Sequence, residues 1–339
     1  MSDPVDIKTK KAIPAIKTQI FEKSLVLEHL EGNLISHYDT WTQFQQSWTN
    51  NAYFTFKDLD KFIVMMFLTR NYWQGLSDKF HYMSMDEFYE LENIMIDKIN
   101  LIQISHELNI PKETIRRKVN ELQSEEILIR KGKSIMFNKR GMNYQKPEKT
   151  LELLSKFISK KSELLQGNDW FGPSLKKEEV KRFIKKYFTI IWLRFFKLQI
   201  PFLIRHRNAF LDLETWIVWG NIALNQQYQM YKMRDKSLLY ENLKRDNYYN
   251  NMASFKISRG INASSIADIS RIPRATVMRK LKWLVSQGII KKNKNLEYHL
   301  KSSGKLNGIV AANTVINQEA VADFLTDIFD YMKNSNFKL

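Results

Sequence analysis

The sequence predicts a mainly α protein with small β-wings, in which one helical unit occurs twice. Three observations carry this. IPKETIRRKV (110–119) and IPRATVMRKL (272–281) are near-copies, a short β-patterned stretch follows each, and long aromatic-rich apolar segments precede each. At 339 residues the chain is long enough for two ordinary domains, and with 44% hydrophobic and 13% aromatic residues it can fill their cores.

Residues 1–50 read as an N-terminal helical extension. The opening MSDPVDIKTKKAIPAIK has no apolar run of the length a signal peptide needs. A cytoplasmic, nucleoid-associated location is the expectation. Residues 51–165 are expected to form the first domain. A long apolar helix spans about 62–80, and a second helix opens at SMDEF, where Ser84 and Glu87 have capping-box spacing. A short helix over about 101–108, a tight turn and a second helix from Pro111 come next. Proline suits a first helical turn, where its missing N–H would be unpaired anyway. Ile115, Val119 and Leu122 pin one face of that helix to the core and leave the opposite face outward. The hairpin at 127–137 turns at Gly132, and a helix over about 149–165 closes the unit.

The second domain, 166–335, repeats this order. A shift of 162 residues aligns Ile104 to Ile127 with Ile266 to Ile289 without a gap and gives 9 identities in 24 positions, Thr114/Thr276 and Arg117-Lys118/Arg279-Lys280 among them. Internal duplication explains this best. Val277, Leu281 and Leu284 repeat the core stripe. The hairpin at 289–300 turns through Asn293-Lys294-Asn295, residues that tolerate positive φ. Long helices are expected at about 180–202 and 318–332. Pairing Phe88-Tyr89-Glu90-Leu91-Glu92 with Phe210-Leu211-Asp212-Leu213-Glu214 leaves an insertion at about 226–258. The most apolar stretch, 187–204, is broken by Arg194, Lys197 and Pro201. Charge at bilayer depth costs about 2.5 to 3.5 kcal/mol, so it reads as a buried helix and no membrane partner is expected.

Helix, turn, helix and two-stranded wing make a winged helix-turn-helix, so the chain is expected to hold tandem winged helix-turn-helix domains. The long helix, the helix opening on SMDEF, the helix pair, the wing and FNKRGMNYQKPEKTLELLSKFI resemble the MarR family of winged-helix regulators over about 60–335. HLKSSGKLNGIV occupies the post-wing position in the second copy. The wings are shorter than that family's and lack its Asp-x-Arg tip. Two copies stand on one chain where the family uses two chains, which implies an intramolecular pseudo-dimer, alone or as a homodimer.

The net charge is +17, and it is unevenly placed. Residues 1–98 carry 10 basic against 14 acidic side chains, whereas 259–301 carry 10 against 2 and 99–140 carry 9 against 5. This distribution fits a polyanion partner. In helix-turn-helix proteins the second helix enters the major groove. The expected DNA contacts are therefore Lys112, Thr114, Arg116 and Arg117 in the first copy and Arg274, Thr276, Met278, Arg279 and Lys282 in the second. Arg130, Lys131 and Lys133 belong to the first wing, and Lys291, Lys292 and Lys294 to the second. The expected function is a sequence-specific, double-stranded DNA-binding transcriptional regulator on a pseudo-palindromic site. The rival readings are a plasmid-type replication initiator with tandem winged helices and a winged-helix protein-binding scaffold. The resemblance also implies a small aromatic effector among Phe62, Phe67, Tyr72, Trp73, Tyr187, Trp192, Phe195 and Phe196. No enzyme and no cofactor are expected: there is no cysteine, no phosphate-binding glycine loop, and the six histidines show no metal-ligand spacing.

Overall fold

The computed structural model describes residues 11–13, 20–79, 81–96, 100–131, 134–138, 147–168, 171–232, 243–304 and 306–335. These residues are 71% helical, in 14 helices with small antiparallel sheets, so the protein is mainly α with small β elements.

The first half runs β1 (Lys11–Ala12), α1 (Lys23–Gly32), α2 (Leu34–Phe56), α3 (Leu59–Asp78), β2 (His81–Tyr82), α4 (Met85–Glu90) and β3 (Asn93–Ile96). The helix pair α5 (Leu101–Leu108) and α6 (Lys112–Ser124), the hairpin β4 (Leu128–Lys131) and β5 (Ser134–Asn138), and α7 (Glu148–Leu165) complete it. The second half runs α8 (Lys177–Lys186), α9 (Phe188–Ala209), α10 (Leu213–Lys232), α11 (Tyr248–Ser254) and β6 (Ile261–Asn262). Then come the helix pair α12 (Ala263–Ser270) and α13 (Arg274–Ser286), the hairpin β7 (Ile290–Lys292) and β8 (Glu297–Leu300), and α14 (Asn307–Asn334). Each hairpin gains a third strand from ahead of its helix pair, giving the orders β3-β5-β4 and β6-β8-β7. The sequence reading missed both third strands because NIMI and IN are too short to show an alternation.

The duplication reaches further than the aligned stretch. Helices α1, α2 and α3 begin at residues 23, 34 and 59, and α8, α9 and α10 begin at 177, 188 and 213, a constant spacing of 154. Phe56-Lys57-Asp58-Leu59-Asp60 is therefore the counterpart of Phe210-Leu211-Asp212-Leu213-Glu214, which corrects the expected pairing with Phe88–Glu92. The expected boundary at residue 50 falls inside α2. Within 226–258 the described residues hold the end of α10 and all of α11, which occupies the place that α4 takes in the first half; 233–242 lie outside the described residues.

Contacts between the halves are reciprocal. Helix α1 packs on α14 and α8 on α7, while α3 packs on α9 and α10 on α2. Trp48 stacks edge-on to Phe195 at 5.4 Å between ring centres, and their counterparts Phe202 and Trp41 meet at 5.5 Å. Trp48–Phe62 at 5.6 Å likewise matches Phe202–Trp216 at 5.4 Å. Each half thus buries its long helices against the other, and the aromatic core lies between them. The apolar stretch at 187–204 is largely buried, in α9, which meets α8 at a 105° bend. Among the described residues no single helix is long and apolar enough to cross a membrane.

Candidate nucleic-acid interface

The two helix pairs are built alike, residue by residue. Asn100 caps α5 by accepting from Ile102 N and Gln103 N, both at 3.1 Å, and Asn262 caps α12 by accepting from Ser265 N at 2.9 Å. Both helices end on a left-handed residue, Asn109 at φ 50° and Arg271 at φ 61°. Side chains of this kind adopt that conformation at a cost, which the turn requires in order to aim the next helix. Ile110 and Ile272 then bury fully in the core, and Pro111 and Pro273 sit as N-caps with nearly identical dihedrals. The prolines stand one residue ahead of the first helical residue expected for them. Helices α6 and α13 also leave through matching left-handed residues, Glu126 at φ 58° and Gly288 at φ 69°.

Lysines on the inner faces of α6 and α13 hold the second helices in place. Lys118 and Lys280, paired by the repeat, are only 6% and 3% exposed. Lys118 Nζ lies 2.6 Å from Asp58 Oδ2 and 2.9 Å from Glu121 Oε1. Lys280 Nζ pairs with Asp212 Oδ2, with Glu214 Oε2 at 3.6 Å. Asp58 and Asp212 also cap α3 and α10, accepting from Lys61 N at 2.9 Å and Thr215 N at 2.8 Å. One carboxylate therefore ties a helix start to the neighbouring second helix in each half. Burial pulls the Lys118 ammonium down, but its bonds to Asp58 and Glu121 outweigh this and raise it above lysine's ordinary value. Burial pushes Asp212 up, and the bonds from Lys280 and Thr215 outweigh it and hold the carboxyl below its ordinary value.

With the inner faces fixed, the outer faces are presented to solvent. Lys112, Arg116 and Arg117 are exposed and Thr114 is half-buried; Arg274, Arg279 and Lys282 are exposed and Thr276 is half-buried. Met278 departs from its expected place. It is half-buried and packs against the core, because it lies only about 100° around the helix from the buried Val277.

The two faces differ electrically. Arg116 Nη2 is 2.6 Å from Glu113 Oε2, and Arg117 Nε is 3.7 Å from Glu121 Oε1. Arg279 and Lys282 have no ion pair among the described residues, and Arg274 Nε only reaches Ser264 Oγ at 3.2 Å. The first face carries its own counter-charges; among the described residues the second face has none.

In the first wing Arg130 is exposed and the Lys131 backbone pairs with Ser134, while the Lys131 side chain, Gly132 and Lys133 lie outside the described residues. In the second wing Lys291, Lys292 and Lys294 are all exposed. Asn293 closes that turn, donating to Glu297 O and accepting from Glu297 N at 2.9 Å each. The positive φ falls on Leu296, at 61°, one residue beyond the expected Asn-Lys-Asn run.

Away from this face the halves hold two cavities in equivalent places. The first, about 350 Å³, is lined by Trp48, Ala52, Phe62, Met65, Trp73 and Trp192, among others. The second, about 70 Å³, has Phe202, His206, Trp216, Trp219, Gln227 and Tyr38 at the positions 154 residues removed. The second cavity carries histidine for alanine and tryptophan for phenylalanine and methionine, but also phenylalanine, glutamine and tyrosine for three tryptophans. The buried Trp73 Nε1 has no hydrogen-bond partner.

No family model, curated protein or solved structure matches this chain.

The sequence missed the pinning lysines although it paired them. In Arg117-Lys118 and Arg279-Lys280 the arginine faces out and the lysine faces in, and the turn of about 300° from Val277 to Lys280 at i+3, which leaves them about 60° apart, places Lys280 beside the core stripe.

Proposed function

We propose that the chain is a sequence-specific, double-stranded DNA-binding transcriptional regulator of the MarR-like winged-helix class. Two winged helix-turn-helix units, in halves of about 23–165 and 177–335, form an intramolecular pseudo-dimer. The reciprocal packing of α1 on α14 and α8 on α7 supports it, since a twofold relation requires that each contact recur with its partners exchanged.

One observation carries the reading. The same helix pair occurs twice, each second helix locked by a buried lysine so that its cationic side faces out: Arg279 and Lys282, without an ion pair among the described residues, in one, and Lys112, Arg116 and Arg117 in the other. Arginine suits bidentate contact with guanine O6 and N7, and lysine suits phosphate. The wing lysines Lys291, Lys292 and Lys294 extend the charged surface towards the backbone. Exposed cations on a locked, repeated helix favour a polyanion as the partner. Fluorescence-anisotropy titration of the full chain against random-sequence duplex at several salt concentrations tests the reading. Binding that weakens steeply with salt is expected, and failure to bind duplex DNA at low salt would sink it.

A small aromatic effector is proposed as a second partner, on the strength of the first cavity. Its walls are mostly aromatic, its volume suits a single small planar molecule, and the unpartnered Trp73 N–H offers one donor to a carbonyl or carboxylate.

A further inference from the structure

We propose that Glu113 reads a cytosine, so that the two half-sites differ at one corresponding base pair, C·G facing α6 and T·A facing α13. The inference rests on the DNA-binding reading above and names which base one residue selects.

Glu113 is the second residue of α6, with its side chain 70% exposed. One turn on, Arg116 places Nη2 at 2.6 Å from Glu113 Oε2 and is itself 62% exposed. A bare carboxylate on a face turned towards phosphates would be repelled. Here the guanidinium offsets the charge and, as an exposed i,i+3 pair of modest strength, biases the carboxylate towards the arrangement in which Oε2 faces Arg116 and Oε1 faces outward. Two base edges offer an amino donor in the major groove, and cytosine N4 is the usual partner of aspartate and glutamate, because the adenine N6 donor lies beside the N7 acceptor, which repels a carboxylate.

Acidic residues are common in first helical turns, where the helix dipole favours them. That explanation is insufficient here, because the second copy supplies a control. Helix α13 starts from Pro273 at φ −52° and ψ 136°, and α6 from Pro111 at φ −53° and ψ 137°. At the corresponding position α13 carries the exposed Ala275. The helix start therefore does not require an acid, and the difference lies in what each helix meets. An alanine methyl has a natural partner in the thymine C5 methyl group. Arg116 acts as a positioning residue for Glu113, and its counterpart Met278, turned against the core, has no such task.

The test is selection of bound duplexes from a random pool by the full chain, as wild type, as Glu113→Gln and as Ala275→Glu. Both changes are at exposed positions and leave the core untouched. Wild type should enrich a motif with C in one half-site and T at the corresponding position of the other. Glu113→Gln should move the C to A, since glutamine's amide pairs with adenine N6 and N7, with the preference changing by about 5- to 150-fold. Ala275→Glu should move the T to C. A Glu113→Gln protein that enriches the wild-type motif unchanged would overturn the base assignment while leaving DNA reading intact. A wild type that enriches no motif would overturn both.

Discussion

Removing the Lys280 ammonium should loosen the second helix pair by a predictable amount. Lys280 is 3% exposed and its charge is met by Asp212, with Glu214 at 3.6 Å. Breaking one side of a buried pair costs about 3 to 5 kcal/mol, because the remaining charge is left without compensation. Asp212 retains its bonds from Thr215 N and Oγ1, and its side chain is 39% exposed, so Lys280→Met belongs at the low end, about 3 kcal/mol. Asp212→Asn keeps an acceptor for the helix cap but leaves Lys280 buried with only the more distant Glu214, and should cost a similar amount. The double variant leaves neither buried charge of the pair, so it should lose about 3 to 4 kcal/mol rather than the sum, a coupling of about 2 to 3 kcal/mol. Urea unfolding of the four proteins, fitted with a shared slope, measures all three quantities. Single losses below about 1 kcal/mol, or strict additivity, would refute the pin.

Three further outcomes are expected. On the preferred duplex Arg279→Ala should cost about 1 to 3 kcal/mol and relax one position, whereas Lys292→Ala should weaken all sequences alike and lower the salt slope by about one unit; titrations at several salt concentrations separate the two. His206 is buried against Trp216, and burial, with Arg205 adding to it, holds the imidazole down at about 3. Its folded value is depressed below the unfolded one, so it should contribute stability above pH 6.5 that is lost as pH falls towards 3, on the order of 2 to 3 kcal/mol between pH 7 and 4.5. His206→Gln should flatten that part of the denaturation-versus-pH curve, and an unchanged slope would contradict it. Met65→Trp, which places in the first cavity the residue type that Trp219 supplies to the second, should abolish quenching of intrinsic fluorescence by small aromatic acids without lowering the melting temperature. Retained quenching would mean that they bind elsewhere.

Much of this arrangement is written into the chain in ways that elementary patterns reveal. The stripe Val277, Leu281, Leu284 and its copy Ile115, Val119, Leu122 fixed which side of each second helix is buried, and all six are in the core. The capping box of Ser84 and Glu87 forms as its spacing implies. Other features depend on three-dimensional relations that periodicity does not carry. Phe210–Glu214 matches both Phe88–Glu92 and Phe56–Asp60 in sequence, and it is the constant spacing of the helix starts, with the caps on Asp58 and Asp212 and their lysines, that decides between them. Helix α2 reads as part of an extension because it packs chiefly on α7 and α10, both far along the chain. Met278 sits at the edge of the stripe, where an apolar side chain turns to the core while Arg116 at the equivalent position stays exposed.

On the proposed function, one chain presents two reading helices to successive turns of duplex DNA. Selection from a random pool, followed by footprinting on the enriched duplex, measures this most directly. An imperfect palindrome is expected, with half-sites about 10 base pairs, or about 34 Å, apart and both protected by a single chain. Protection of only one half-site on the best duplex, or no enrichment above the starting pool, would contradict it.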